Sequence, residues 1–379
     1  MIRTIAHFDL DSFFVSVERK LNSSLVGKPV IIGGTSDRGV VSSCSYEARM
    51  FGVHSAMPMR MAKRLCPNAI YVKGDYDQYS KHSAEVTQII DAKAPVYEKA
   101  SIDEHYLDIT GMDRFYGSMK WTHELRETII KETGLPISFG LSVNKTVCKI
   151  ATDESKPNGE LYVEPERVQP FLNPLSVSKI PMVGEKTGMM LKSMGVHTIE
   201  TLSKIPLETM LSVMGDSGKT IWQKANGIDN SSVIPYTERK SISTETTFEK
   251  DTIDIDMLQR KILGMVGELA FQLRKEQRVA STISVKIRYS NFDTHTQQKR
   301  IPYTSADHVI EPIIMELFKK LYNRRMLIRL IGIKFSNLAS GHYQAHLFDD
   351  SLEMLNLYNA MDRMKVKYGD KAVIKAFSI

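Results

Sequence analysis

Apolar and polar positions change their period several times along the chain, and each change marks a structural segment. Thr4-Ile5-Ala6-His7-Phe8 is a short apolar run that predicts a strand, and it ends in the acidic Asp9-Leu10-Asp11. From Ser12, an N-cap residue type, the spacing of Phe13, Val17 and Leu21 predicts a helix. Pro29-Val30-Ile31-Ile32 predicts a second strand closed by Gly33-Gly34, and Gly39-Val40-Val41-Ser42 resumes extended structure. Helical spacing then covers Tyr46–Phe51, Pro58–Leu65 and Tyr76–Asp91. Ala100-Ser101-Ile102 and Tyr106-Leu107-Asp108-Ile109 predict two strands around an acidic turn at Asp103-Glu104. An amphipathic helix at Trp121–Thr133, a strand at Ile137–Val143 and a helix from Asn144 to about Asp153 follow. Strands alternating with helices to about residue 165 indicate an α/β domain.

The pattern changes after Pro174. Residues 175–230 are helical in spacing, interrupted by Gly184, Gly195 and Gly215, with no convincing strand. A polar stretch at 231–241, containing Pro235, reads as a linker. Beyond it, Leu258–Arg274 predicts a long helix, Thr282–Tyr289 a strand, Glu311–Tyr322 a helix and Leu327–Phe335 another strand. These make a second, smaller α/β unit over 242–346. The tail, 347–379, is acidic at first and then weakly helical.

Composition narrows the class. A chain of 379 residues exceeds one ordinary core, so two to four compact units are expected. No apolar run approaches the ~18 residues a membrane span needs, and the N-terminus lacks the order of a secretion signal. Cys44, Cys66 and Cys148 are scattered without a CxxC pair, which argues against a disulfide framework or a structural zinc site. A cytoplasmic protein is expected. The net charge is +6, and residues 240–346 hold 17 Lys and Arg against 11 Asp and Glu, a surplus equal to the whole chain's. A basic C-terminal module on a neutral body suits attachment to a polyanion.

Two acidic clusters, Asp9-x-Asp11 and Asp103-Glu104, sit at predicted strand ends. If they converge, the carboxylates of Asp9, Asp103 and Glu104 and the Leu10 main-chain carbonyl offer the all-oxygen surroundings that Mg²⁺ prefers. Two ions ~3.5–4 Å apart could be held there, one beside an attacking hydroxyl and one beside leaving phosphates. Clustered carboxylates raise one another's pKa unless a cation joins them.

The runs Phe8-Asp9-Leu10-Asp11-Ser12-Phe13-Phe14-Val15-Ser16-Val17-Glu18 and Ser101-Ile102-Asp103-Glu104-His105-Tyr106-Leu107-Asp108 resemble the two catalytic motifs of Y-family DNA polymerases, in the order and spacing of the DNA polymerase IV branch. The resemblance extends over essentially residues 1–346. It implies a right-hand polymerase: palm and fingers over 1–165 (fingers about 20–75), a helical thumb at 166–230, the linker at 231–241 and a little finger at 242–346. It also implies error-prone, template-directed addition of deoxynucleotides to a primer 3′-hydroxyl, as in translesion synthesis. Asp9, Asp103 and Glu104 would be the catalytic metal ligands, with two Mg²⁺ ions and Mn²⁺ able to substitute. Asp11 and Asp108 are expected to be structural, and His105 is a departure expected to alter packing only.

Phe13 and Phe14 are adjacent, so on a helix their rings diverge by ~100°. Taken alone, both could be core. By resemblance, Phe14 is the steric gate against a ribose 2′-hydroxyl. The segment Ser43-Cys44-Ser45-Tyr46-Glu47-Ala48-Arg49 resembles the family's triphosphate-binding run, with Tyr46 and Arg49 sharing a helix face and Ser43 adding a hydroxyl. Lys156, in Lys156-Pro157-Asn158-Gly159, matches the family's triphosphate-contacting lysine.

Lys179–Gly188 resembles a helix-hairpin-helix, in which Gly184 and Lys186 would meet a DNA phosphate without reading sequence. Met214–Thr220 superficially resembles a P-loop, but Val213 stands where the first glycine is required and no strand precedes it, so a second helical turn is expected. In the second unit, Lys240, Lys286 and Arg288, with Arg274, Lys275, Arg278, Lys299 and Arg300, suit contact with a DNA backbone. Gln344-Ala345-His346-Leu347-Phe348 resembles the peptide with which bacterial replication proteins bind the sliding clamp, Gln344, Leu347 and Phe348 being its anchors. The expected partners are primer-template DNA, deoxynucleoside triphosphates and the clamp, with no membrane, and the chain is expected to be a monomer. The alternatives are a non-catalytic DNA-binding scaffold of the same fold and a palm-type nucleotidyl cyclase.

Overall fold

Strand β1 (Ile5–Leu10) is buried at all six positions, because helices cover both faces of its sheet. That sheet has the order Val96–Lys99 (β5), Glu104–Asp108 (β6), β1, Ile137–Ser142 (β7), Glu160–Tyr162 (β8). The two-residue period of a strand sends Ala6, Phe8 and Leu10 to one face. There they join Val86 and Ile90 of α4 (Tyr76–Lys93) and Leu125 and Ile129 of α5 (Ser118–Thr133) in one core. Ile5, His7 and Asp9 take the other face, against α6 (Lys145–Ser155): Ile5 packs on Cys148, and His7 Nδ1 lies 2.8 Å from Thr152 Oγ1. Helix α6 lies so close over β7 that only glycine fits at position 140. A Cβ there would be 2.5 Å from the Thr152 nitrogen and 2.8 Å from Ala151 Cβ.

The computed structural model describes residues 3–34, 36, 38–112, 117–341, 352–369 and 372–373. A three-stranded sheet, Val41–Cys44 (β3), Val30–Gly33 (β2) and Ile70–Val72 (β4) in that order, packs its own small core of Ile31, Val41 and Met59. Helices α1 (Phe13–Leu21), α2 (Tyr46–Arg49) and α3 (Met59–Leu65) flank it. Next come α7 (Val168–Leu172), α8 (Glu185–Ser193), α9 (Ile199–Ser203) and α10 (Leu207–Ala225), which share a core of Leu172, Leu191, Ile199 and Ile221. At Gly215, α10 departs from helical geometry (φ 60°, ψ −146°), which a glycine adopts without a Cβ penalty.

The chain divides into two units between Thr237 and Glu238. Residues before the division are tied to the first: Asn144 Nδ2 donates to the Gly227 carbonyl (2.8 Å), Thr146 Oγ1 to Asp229 (2.7 Å), and the Ile234 N–H to Glu98 (2.7 Å). Val233 is buried with Ile5 and Cys148. After the division, Glu238 pairs with Arg278 at 3.4 Å and Arg239 with Glu276 at 2.8 Å.

In the second unit an antiparallel sheet has the order β11 (Thr294–Thr304), β10 (Arg278–Tyr289), β12 (Ile328–Ser340), β9 (Ser241–Thr252). Ile283, Val285, Ile287, Ile331 and Ile333 face α11 (Ile255–Lys275) and α12 (Asp307–Leu321) in a continuous core. Helix α13 (Leu352–Tyr368) is held by Arg274, which donates to Asp362 at 2.6 and 3.0 Å and to Asp307 at 2.7 Å. The fold is multidomain and mixes helix with sheet. Among the described residues no helix is long and apolar enough to cross a membrane.

Five strands differ from the sequence expectation. Ala100–Ile102 is not a strand; the strand is Val96–Lys99, and Ser101 shapes the turn by accepting the Asp103 and Glu104 N–H groups at 3.2 and 3.0 Å. The strands β4, β8, β9 and β11 were not expected.

Candidate active site

Alternation along β1 decides where the acidic groups go. Phe8 enters the core, so Asp9 emerges on the α6 face, and antiparallel pairing sets it opposite Glu104 of β6 and Ser138 of β7. Residues directly opposite one another in such a ladder have Cα atoms about 4.5–5.5 Å apart, so Asp9 and Glu104 share one patch of the face. Asp103 precedes Glu104, and its carbonyl accepts the Leu10 N–H at 3.1 Å. The carboxylates that are 94 and 95 positions apart in sequence thus converge at one strand end.

Two lysines answer them. Lys156, just past α6, places its ammonium 2.5 Å from Asp9 Oδ1, and Lys149 of α6 stands 2.6 Å from Glu104 Oε1. Burial pushes the Asp9 carboxyl up to about 7, Lys156 draws it back, and Glu104 and Asp103 add to the rise. Burial also acts to raise Glu104, but His7 (3.8 Å away) and Lys149 outweigh it and hold that carboxyl well below the usual range. Asp9 therefore retains a deficit of positive charge that one ammonium does not fill. An oxygen-only set of Asp9, Asp103, Glu104 and the Leu10 carbonyl beside such a deficit fits a hard divalent cation.

Asp11 is occupied otherwise. It accepts from Ser138 Oγ (2.9 and 3.0 Å), the Asn158 N–H (2.6 Å) and Tyr46 OH (3.3 Å), so it braces the site's backbone. Asp108 bonds Thr110 Oγ1 at 2.6 Å and lies 3.9 Å from Arg3. His105 points to the opposite face of the sheet, buried with Nε2 3.0 Å from Thr87 Oγ1, and burial lowers its pKa to about 3.

A cavity of about 220 Å³ opens in front of these carboxylates. Its lining includes Asp9, Leu10, Asp103, Phe13, Phe14, Ser43, Arg49 and Lys156. Phe13 is buried in the core, whereas Phe14 is half-buried and stacks on Tyr79 at 4.2 Å and 12°. Tyr79 is fixed in turn by a 2.5 Å bond to Glu18, so the Phe14 ring is backed by a second, anchored ring. Tyr46 does not line the cavity: burial and the Asp11 contact raise its hydroxyl above the ordinary range, and its ring lies 4.7 Å beneath the Arg49 guanidinium. Sequence reasoning missed Tyr79, Lys149 and the additional lining serines Ser12, Ser42 and Ser55.

Gly184 is the N-cap of α8, and Lys186 lies exposed in its first turn. Met182, two residues before the Gly184 cap, is exposed with φ 83°. In the second unit, β-register places Arg300, Lys286, Arg288 and Lys334 on the face of the sheet away from α11 and α12. Lys286 is shared there with Glu245 at 2.9 Å, and Arg288 donates to Thr294 at 2.8 Å; Lys240 is exposed just before β9. Gln344, Leu347 and Phe348 lie outside the described residues.

Convergent carboxylates at a sheet end, compensated by lysines and fronted by a cavity with an arginine and an aromatic floor, offer the groups that phosphoryl transfer calls for. The comparisons place it in a family. Residues 8–153 match the impB/mucB/samB family model and residues 239–347 that family's C-terminal domain. A protein of Dehalococcoides mccartyi strain 195 named DNA polymerase IV is 37% identical over 97% of this chain and 95% of its own length. The DNA polymerase IV of Methanoculleus marisnigri is 38% identical over 89% and 95%. Among solved structures, a Y-family DNA polymerase chimera of Dbh and Dpo4 aligns with TM-score 0.78 at 26% identity, over 89% of this chain and all of that one. The chain belongs to the impB/mucB/samB family, the Y-family of DNA polymerases, within its DNA polymerase IV branch. Membership carries divalent-metal dependence and action on DNA and nucleotides.

Proposed function

We propose that this protein is a DNA-directed DNA polymerase that copies template with low fidelity, including across damaged bases, by two-metal-ion transfer of a deoxynucleotide to a primer 3′-hydroxyl. The observation that carries this reading is the convergence of Asp9 with the Asp103–Glu104 pair beside a cavity lined by Phe14, Arg49 and Lys156. Asp9, Asp103, Glu104 and the Leu10 carbonyl would hold two Mg²⁺ ions, with Mn²⁺ as a substitute. Such ions, when bound, supply Lewis acidity that lowers the primer hydroxyl's pKa and offsets charge on the departing pyrophosphate.

The chain's own residues do the rest. Lys156 and Arg49, with Ser43, offer cationic and hydroxyl donors to the triphosphate. Tyr46 acts from behind, orienting Arg49 through its ring. Phe14, stiffened by Tyr79, occupies the volume a 2′-hydroxyl would need. Gly184 and Lys186 at the α8 N-terminus, and Lys240, Lys286 and Arg288 of the second unit, are suited to DNA phosphates. Gln344, Leu347 and Phe348 are proposed to engage the sliding clamp, which their Gln-x-x-Leu-Phe pattern supports, and the polymerase is proposed to act as a monomer in the cytoplasm. A scaffold or cyclase reading has no comparable support.

Extension of a primed template, undamaged and with an abasic site, tests the reading. Wild type should extend both in Mg²⁺, and Asp103→Ala should bind DNA and fold normally yet fail to extend. Turnover near wild type in Asp103→Ala would overturn the metal assignment.

A further inference from the structure

Arg126 lies in the middle of α5 and is only 6% exposed. An arginine buried to this degree requires partners for its guanidinium, and here every N–H has one. Nε donates to the Ile137 carbonyl at 2.9 Å. Nη1 donates to Glu127 at 2.7 Å and to Glu160 at 2.9 Å. Nη2 donates to Asn158 twice, at 3.0 Å to its carbonyl and at 2.6 Å to Oδ1. All five donors of the fork are thus engaged. His123, Glu127 and Glu160 also bring ligand-type atoms within 4.8 Å of one another. Arg126 already bridges both carboxylates, so the cluster serves the guanidinium, not a metal.

The target of the fork is informative. Asn158 is two residues past Lys156 and has φ 52°, a left-handed conformation that the double grip on its carbonyl and side chain fixes. Its N–H donates to Asp11 at 2.6 Å, and the next N–H, from Gly159, donates to Ser138 Oγ at 3.0 Å. Between these anchors and the end of α6 the chain has little freedom, and Lys156 is what that segment presents to Asp9.

We propose that Arg126 is a positioning residue for nucleotide binding: by clamping Asn158 it fixes the reach and direction of the Lys156 ammonium. This rests on the reading of Lys156 as a triphosphate contact. The conformation depends on a planar fork, so a lysine in its place keeps the charge and loses the geometry.

Steady-state insertion of one nucleotide opposite an undamaged template tests it, using Lys156→Ala, Arg126→Lys, Asn158→Gly and the double variant Arg126→Lys/Lys156→Ala. Lys156→Ala should raise the KM for the incoming nucleotide. Arg126→Lys should raise that KM by about tenfold, as loss of a supporting partner does, with kcat and DNA affinity close to wild type. Asn158→Gly tolerates the left-handed backbone but lacks Oδ1, so it should shift KM in the same direction by less. The double variant should be no worse than Lys156→Ala, because a lysine that is absent cannot be misplaced. A folded Arg126→Lys with unchanged KM, or penalties that multiply in the double variant, would overturn the proposal. If Arg126→Lys does not fold, Asn158→Gly decides: an unchanged KM there overturns it. A KM unmoved by Lys156→Ala removes the Lys156 reading and this proposal with it, whereas a KM moved by Lys156→Ala alone removes only the role of Arg126.

Discussion

Replacing Gly140 by alanine adds one methyl group where β7 and α6 touch. The new Cβ would lie 2.5 Å from the Thr152 nitrogen, 2.8 Å from Ala151 Cβ, and closer still to the Cys148 carbonyl. Carbon contacts are at their best near 3.5–4.0 Å, so α6 must retreat from the sheet by roughly 1 Å. That retreat disturbs the Thr152 hydroxyl, which holds the His7 carbonyl at 3.0 Å, and it carries Lys149 and the Lys156 segment away from the carboxylates. Overpacking of this kind costs about 1–3 kcal/mol, or roughly 2–12 °C of melting temperature for a unit of this size. A displacement of about 1 Å at a positioning group lowers turnover on the order of a hundredfold. Thermal denaturation and primer extension on the same preparation read both effects. A Gly140→Ala protein that melts and extends like wild type would refute the packing argument. One that melts early but extends normally would show that α6 placement does not govern the lysines.

Phe14→Ala should admit ribonucleotides during extension, and unchanged sugar selectivity would remove the gate role from that ring. Tyr79→Leu should relax selectivity in the same direction by a smaller factor, since it leaves Phe14 unbacked; equal selectivity to wild type would show that the stack is incidental. The Asp9 carboxyl titrates at about 7 in the fold against about 3.9 unfolded. Its contribution to stability is therefore full below pH 4 and lost as pH rises through 7. In chelator, Asp9→Asn should gain on wild type between pH 4 and pH 8 by on the order of 4 kcal/mol, while the unpaired Lys156, charged at both pH values, adds only a constant difference; a pH-independent difference in denaturation midpoint would contradict this. Alanine at both Leu347 and Phe348 should leave unassisted synthesis unaltered and abolish stimulation by the clamp; persistent stimulation would relocate the contact.

The inner strands of all three sheets were readable from sequence because they are apolar on the face they bury. The missed strands are all edges. β9 (Ser-Ile-Ser-Thr-Glu-Thr-Thr at its start) and β11 carry polar residues at most positions, so the two-residue hydrophobic period is absent although the backbone pairs normally. Val96–Lys99 failed for the same reason, and the apolar Ile102 drew the expected strand into what is a serine-shaped turn. The acidic residues were legible as two clusters at strand ends, while their meeting depended on long-range pairing that spacing does not encode. Arg126 left a signal that went unused: it falls with Leu125, Ile129 and Thr133 on the buried face of α5, where a solvent-facing arginine has no place. Tyr79 left none, since one tyrosine in an amphipathic helix reads as ordinary core.

The segment that closes the first unit decides where that unit could be cut out of the chain. Val233 is buried with Ile5 of β1 and Cys148 of α6, and the Ile234 N–H is held by Glu98. A fragment that stopped at Gly227 would uncover Ile5 and Cys148 and leave the Thr146 hydroxyl without Asp229, so a stable excised domain has to run through Ile234.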